Sequence, residues 1–144
     1  MHRYIVIEGP LGVGKSSLAQ MLAERLGAQT LLEDVEENPF LVKFYQDPKK
    51  HGFQAQIFFL LRRYNLALEM SQMGLFQRTT VSDFLFDKDQ VFARVNLEDH
   101  EFWLYEQLYQ ILKKRVSPPD LVIFLQAKTE VLMQRLRKRN KKYE

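Results

Sequence analysis

The segment Gly9-Pro10-Leu11-Gly12-Val13-Gly14-Lys15-Ser16 fits the pattern G-x-x-x-x-G-K-[ST], and it constrains this chain more than any other feature. Glycines at these offsets let successive backbone N–H groups converge on a phosphate, in conformations that other residues resist. Such a loop works only where a strand delivers it and a helix leaves it. Both flanks comply. Tyr4-Ile5-Val6-Ile7 is a β-branched run that reads as a buried strand. From Lys15 to about Leu26 the residues Leu18, Met21, Leu22 and Leu26 share one helical face, and Gly27 stands at the expected C-cap. The helix turns its positive end toward the loop. Lys15 is long enough to reach the β- and γ-phosphates of a nucleoside triphosphate, and the Ser16 hydroxyl is suited to Mg²⁺. Gly9 through Ser16, with Ser17 beside them, are therefore the expected ATP·Mg²⁺ site. ATPases, GTPases and small-molecule kinases share this loop, so it does not by itself choose the reaction.

The remaining pattern alternates strands with helices. Thr30-Leu31-Leu32 is a weaker second strand, and residues 37–73 are mostly helical with a break at Asp47-Pro48. Thr79 to Ser82 is a third strand. A long helix is expected from about Glu98 to Val116, with Phe102, Leu104, Tyr105, Leu108 and Leu112 as its apolar positions and Pro118-Pro119 ending it. Leu121 to Leu125 is a continuous apolar run, the mark of a strand buried on both faces. Thr129 is placed to cap a last helix reaching about Arg139. This order predicts an α/β sandwich of helices around a central parallel sheet. Repeats and low-complexity linkers are absent from the sequence, and 144 residues predict one domain.

Composition narrows the class. There are no cysteines, which excludes a disulfide framework, a thiolate metal site and a cysteine nucleophile. The start of the chain passes directly into the first strand with no signal-peptide pattern, and the longest apolar run, Ile57 to Leu61, is far short of a membrane span. A reducing, cytoplasmic setting is the expectation. The net charge of +3 suggests a polyanionic partner until its distribution is read. Residues 135–142 hold six of the 21 basic side chains and no acid, so the rest of the chain carries fewer basic groups than its 18 acids. An acidic body with one basic segment does not fit a nucleic-acid polymer.

Ligands of a parallel α/β sheet bind beyond the carboxyl ends of its strands. Glu33-Asp34 follows the second strand and Asp83 the third. A kinase acting on a hydroxyl needs one carboxylate to orient or deprotonate it and another acid for Mg²⁺. Glu33 suits the first role, and Asp83 the second with Ser16. Gln56 and Arg63 are seven residues apart and share one helix face, where a glutamine amide offers the donor and acceptor that pair with a nucleobase edge. The competing readings are plain: solvated loop acids, a solvated helix face, and Tyr45 as a core aromatic.

A longer pattern bears on that choice. Leu32-Glu33-Asp34-Val35-Glu36-Glu37-Asn38-Pro39-Phe40, then Phe44-Tyr45, Phe53-Gln54-Ala55-Gln56 and Arg62-Arg63, resembles the deoxynucleoside kinase family, its bacterial deoxyadenosine/deoxyguanosine kinase branch in particular. The resemblance spans essentially the whole chain. It implies a P-loop kinase fold and phosphorylation of the 5′-hydroxyl of a deoxyribonucleoside, with a purine base favoured. It implies that Glu33 is the catalytic carboxylate, that Tyr45 meets the sugar 3′-hydroxyl, that Gln56 reads the base edge, and that Arg63 lies near the base. Asp89 aligns with an acid of the base region. Arg135-Leu136-Arg137-Lys138-Arg139 resembles the family's lid over 128–144, in which Arg135 approaches the donor phosphates and Arg139 stacks on the adenine. The competing reading is an ordinary basic helix terminus.

There are departures from the family's pattern. Asp34 stands where the family has a proline. Ser82-Asp83-Phe84 keeps the acid of Glu/Asp-Arg-Ser/Thr and replaces its arginine by Phe84, a loss for which Arg78 or the basic segment are the candidates. Relatives continue with a further helix, a fifth strand and a final helix, so a domain cut short at its C-terminal end is expected. A homodimer is a family-level expectation, with the helix of Trp103 and Tyr105 as one interface. Two rivals stay open. A nucleoside monophosphate kinase such as a thymidylate kinase requires a basic acceptor pocket, against the acidic Glu33, Asp34, Glu36 and Glu37. A GTPase-like switch requires Asn-Lys-x-Asp and an Asp-x-x-Gly after the third strand, and the sequence has neither.

Overall fold

The computed structural model describes residues 3–34, 38–73 and 79–139, the side chains of 71–73 and 139 excepted. Glu36, Glu37 and Arg78 lie outside the described residues, as does the end of the basic segment. The elements run β1 (Tyr4–Glu8), α1 (Lys15–Leu26), β2 (Gln29–Leu31), α2 (Leu41–Gln46), α3 (Pro48–Met73), β3 (Thr80–Ser82), α4 (Lys88–Asn96), α5 (Asp99–Lys113), β4 (Leu121–Phe124) and α6 (Thr129–Arg139). They fall into two compact units. The first takes Met1–Leu32, Met73–Leu85 and Pro118–Glu144, and the second Glu33–Gln72 and Phe86–Ser117.

The first unit contains the sheet, parallel throughout in the order β2-β3-β1-β4. β1 is interior, and all five of its residues are buried. Ile5 and Ile7, two apart and so on one face, pack with Val81 of β3 against Ala19 and Ala23 of α1, flanked by Leu18 and Leu22. The strand period of two and the helix period of 3.6 thus meet at one apolar seam. α1 opens after Gly14, whose φ of 100° is left-handed, and closes at Gly27, whose N–H returns to the carbonyls of Ala23 and Glu24.

Two expectations are corrected in this unit. The run from Leu121 is a strand, but it is an edge of the described sheet and pairs with β1 alone, in the register Ile5↔Leu121 to Glu8↔Phe124. Leu121 is 52% and Phe124 60% exposed, not buried on both faces. The apolar run sets strand propensity, while burial depends on neighbours that a local pattern does not contain. Thr129 is the first residue of α6 rather than its preceding cap.

The second unit is helical. Asp47 separates α2 from α3 with φ −145° and ψ 84°, because a residue before proline avoids the helical region. Pro48 opens α3, a position whose N–H would find no partner within the helix. The core joins Leu60 and Tyr64 of α3 to Phe86, to Ala93 of α4 and Leu97 after it, and to Tyr105 and Tyr109 of α5. Tyr109 stacks on Phe86 at 5.5 Å and on Tyr105 at 6.0 Å between ring centroids. α5 starts with a capping box, in which Glu98 and Glu101 each take the other's backbone N–H. It ends at Lys113, before Val116, and Leu104 is exposed. α4 has no counterpart among the expected helices.

Candidate active-site residues

In the first unit the strand–loop–helix sequence assembles a phosphate cradle. Gly9 leaves β1 against the end of the neighbouring strand, where a Cβ would lie 2.6 Å from the Leu125 carbonyl oxygen. Only glycine fits so close an approach. Val13 turns back to donate its N–H to Pro10 O at 3.2 Å, and Leu11 is exposed at the tip. No side chain caps α1, and its first turn holds no acid, so its leading amides and positive end suit an anion. Lys15 Nζ donates to Gly9 O at 3.0 Å and sits 3.4 Å from Glu8 Oε1. Ser16 Oγ donates to Asp83 Oδ2 at 2.7 Å, and the exposed Ser17 follows on α1.

The Ser16–Asp83 contact brings a hydroxyl and a carboxylate together from α1 and the end of β3. Both are hard oxygen donors of the kind Mg²⁺ takes alongside phosphate oxygens. Among the described residues there is no cluster of three or more acidic, histidine or cysteine groups fit to hold a metal. Phe84, at the position of the family's arginine, is buried.

α6 closes on the same loop. A Cβ on Gly12 would lie 3.3 Å from the Leu132 carbonyl oxygen. Arg135 Nη1 donates to Val13 O at 3.0 Å and lies 3.4 Å from Gly12 O, so it is a loop partner rather than a merely solvated helix terminus. Arg139 ends α6, and its side chain lies outside the described part.

The second unit gathers the other candidates around Arg63. This side chain is buried on α3, and its Nε donates to Glu33 Oε1 at 2.7 Å. Its Nη1 donates to Asp89 Oδ1, and its guanidinium lies 5.0 Å from the Phe59 ring centroid. Asp89 is 0% exposed, not a surface acid, and its Oδ2 accepts the Tyr105 hydroxyl. Gln56, also buried, donates Nε2 to the Asp89 carbonyl at 3.2 Å. Asn38 bridges this region, donating to Ala55 O at 3.0 Å and accepting the Phe40 N–H at 2.9 Å. Tyr45 is 46% exposed, so it is not a core aromatic, and it lies 5.4 Å from Phe44 between ring centroids.

The electrostatics follow from burial. Desolvation works against the Arg63 charge, but Glu33 and Asp89 outweigh it and hold the guanidinium above its ordinary pKa. Burial pushes the Asp89 carboxyl up, opposed by Arg63 and by the hydrogen bonds from Tyr105 and Gln56. Burial, then the Asp89 charge, raises the Tyr105 phenol.

Glu8 and Tyr105 are polar partners that the sequence reading passed over. Glu8 is a carboxylate ending an apolar buried strand directly before Gly9, which is a signal in itself. Tyr105 carries no such signal, because its spacing fits a core position.

The sequence model of the deoxynucleoside kinase family matches residues 5–144. The chain is 34% identical to a deoxyguanosine kinase of Bacillus subtilis over 98% of its own length and 69% of that protein's. It is 36% identical to a deoxyadenosine kinase of Dictyostelium discoideum, covering 98% of this chain and 58% of that one. Among solved structures, a deoxyadenosine kinase from M. mycoides with products dCMP and a flexible dCDP bound superposes with a TM-score of 0.79 at 27% identity, covering 97% of this chain and 72% of that chain. The parallel sheet flanked by helices is thus a P-loop kinase fold, and its setting is nucleoside phosphorylation in nucleotide salvage. Family match, fold and phosphate loop agree: the chain belongs to the deoxynucleoside kinase family.

Proposed function

We propose that this chain carries the transfer of the γ-phosphoryl group of ATP to the 5′-hydroxyl of a deoxyribonucleoside, with a purine base preferred. The observation that carries this reading is the hydrogen-bonded group of Glu33 with the buried Arg63, Asp89 and Gln56. Two carboxylates against one guanidinium leave it acidic, which suits a neutral sugar hydroxyl and opposes the phosphate of a monophosphate acceptor. Gln56 supplies an amide for a base edge. The purine preference is supported by relatives that are deoxyguanosine and deoxyadenosine kinases. ATP use is supported by the M. mycoides enzyme, solved with dATP bound.

Glu33 takes the 5′-hydroxyl proton as the oxygen bonds to the γ-phosphorus. The bond from that phosphorus to the β-γ bridging oxygen breaks, and ADP leaves. Arg63 orients the Glu33 carboxylate through its Nε hydrogen bond at 2.7 Å. Lys15 and the amides of Gly9 to Ser16 stabilise charge on the phosphates. Ser16 and Asp83 are the residues to hold Mg²⁺, which when bound spreads the charge of the transferring group. Arg135 and Arg139, within a lid over 128–144, act on the donor, and Tyr45, Gln56, Arg63 and Asp89 receive the nucleoside. No helix among the described residues is long and apolar enough to cross a membrane, and a cytoplasmic enzyme is our reading. Exposed Val91, Val95, Trp103, Leu104 and Ile111 on α4 and α5 support a homodimer.

A Glu33→Gln variant tests the assignment in a coupled assay across the four deoxynucleosides, their monophosphates and no acceptor. Nucleoside binding is expected to persist while turnover falls at least ~10²-fold. Near-normal turnover refutes the role of Glu33, and faster turnover of monophosphates refutes the acceptor class.

A further inference from the structure

The strand that delivers the phosphate loop ends in Glu8, which is buried at 5% exposure. A carboxylate so enclosed, beside a site for a triphosphate, repels the ligand unless it is held and neutralised. It is held at both oxygens. Oε1 accepts the Gly9 N–H at 2.9 Å and faces Lys15 Nζ at 3.4 Å. Oε2 accepts the Leu85 N–H at 3.1 Å. Leu85 lies two residues beyond Asp83, whose carboxylate takes the Ser16 hydroxyl at 2.7 Å. One side chain thus joins the first amide of the loop, the lysine of the loop and the segment that carries Asp83.

We propose that Glu8 is a positioning residue for phosphoryl transfer, clipping the phosphate loop to the Asp83 segment and holding Lys15 across the cradle until donor phosphates take it. The clip fixes the spacing of Ser16 and Asp83, and so the readiness of the site for the donor's metal. The counter-charge keeps Lys15 extended toward the loop rather than folded away. When the phosphates draw Lys15 from Oε1, the Gly9 and Leu85 amides continue to satisfy the carboxylate, and the loop keeps its shape through the exchange. The inference rests on the kinase reading for the identity of the donor, but not on any acceptor residue.

Glu8→Gln separates these functions. A glutamine has one carbonyl oxygen, so it can serve only one of the two positions, and its NH₂ then opposes either the Leu85 amide or the Gly9 amide together with the Lys15 ammonium. Glu8→Asp keeps the charge near Gly9 and Lys15 but shortens the reach to Leu85. The primary measurement is calorimetric binding of ADP with Mg²⁺, which needs no acceptor. It is joined by KM for ATP, KM for nucleoside and the Mg²⁺ concentration for half-maximal activity. We expect Glu8→Gln to weaken nucleotide binding and raise the Mg²⁺ requirement at least ~10-fold, about 1.4 kcal/mol. The nucleoside KM stays within about twofold, and Glu8→Asp restores the nucleotide affinity in part.

Nucleotide and Mg²⁺ dependences within about twofold of the parent, with only a lowered Tm, overturn the proposal. If Glu8→Gln does not fold, the parent decides. Its Glu8 carboxyl ¹³C signal is expected to move when ADP·Mg²⁺ saturates the site, while the Leu85 amide stays protected from exchange. An unmoved signal or a freely exchanging Leu85 amide overturns it. A parent that binds nucleotide as described yet phosphorylates no nucleoside counts against the acceptor reading and leaves the Glu8 result standing.

Discussion

Tyr105→Phe isolates one hydrogen bond in the acceptor-side cluster. Tyr105 is fully buried, and its hydroxyl donates to Asp89 Oδ2, while Asp89 Oδ1 takes Arg63. Phenylalanine keeps the ring and its packing on Tyr109 and Phe102, each at 6.0 Å between centroids. What is lost is a donor to a carboxylate oxygen that is closed off from water. Leaving a buried charged acceptor short of its partner costs about 1.5–3 kcal/mol. For a chain of 144 residues each ~1 kcal/mol moves Tm by roughly 3–4 °C, so a fall of about 5–10 °C is expected at neutral pH. Thermal unfolding followed by circular dichroism, with urea unfolding beside it, reads the change. The pH dependence gives a second signature. Burial, then Asp89, holds the folded phenol above its ordinary 10.0. Its contribution is therefore fully present below pH 10 and is lost as pH rises further, because the unfolded chain ionises first. Parent stability falls above pH 10, and the variant falls less steeply, the remainder coming from Tyr109, whose phenol burial and Asp87 also raise. Asp89 holds Arg63, so nucleoside KM rises while ATP KM stays unchanged. A Tm within a degree of the parent, or an unaltered alkaline slope, refutes this account of the cluster.

Two further outcomes test the donor side. Gly9→Ala drives a Cβ to 2.6 Å from the Leu125 backbone carbonyl, which cannot move without shifting β4, so a loss of about 1–3 kcal/mol and of nucleotide binding is expected. An unchanged urea midpoint contradicts the close approach. Asp83→Asn keeps an oxygen for the Ser16 hydroxyl but removes the charge, so the protein folds while its Mg²⁺ requirement rises at least ~10-fold. Parent-like Mg²⁺ dependence removes Asp83 from the metal site.

What the sequence made legible is what lies close along the chain. β1, the glycine loop and α1 are a contiguous signal in which strand period, turn chemistry and helix period agree, and the structure keeps their order. The break at Asp47-Pro48 is legible for the same reason, since proline acts on its immediate neighbour. α4 shows the converse. Its apolar Val91, Phe92 and Val95 are exposed while Asp89 and Ala93 are buried, so a reading that turns apolar residues inward has no face to find. β4 fails differently: its apolar run predicts a strand, and only the sheet order reveals that it is an edge.

The deepest losses concern buried polar groups, because a partner's identity is a property of the fold. Glu8 reads as the last residue of a strand until the Leu85 amide, 77 residues on, is found against its carboxylate. Tyr105 reads as core until its hydroxyl meets Asp89, 16 residues back. Position after the second strand marked Glu33 and a shared helix face marked Gln56 and Arg63, and resemblance strengthened all three, yet neither carried a physical reason for the burial of Gln56 and Arg63. That reason is mutual: a buried arginine is tolerated where two carboxylates meet it, and the carboxylates are tolerated where the arginine and Tyr105 meet them. Such a group stands or falls together. Substitutions within it will therefore be non-additive, and a double-mutant cycle on Arg63 and Tyr105 will read the coupling.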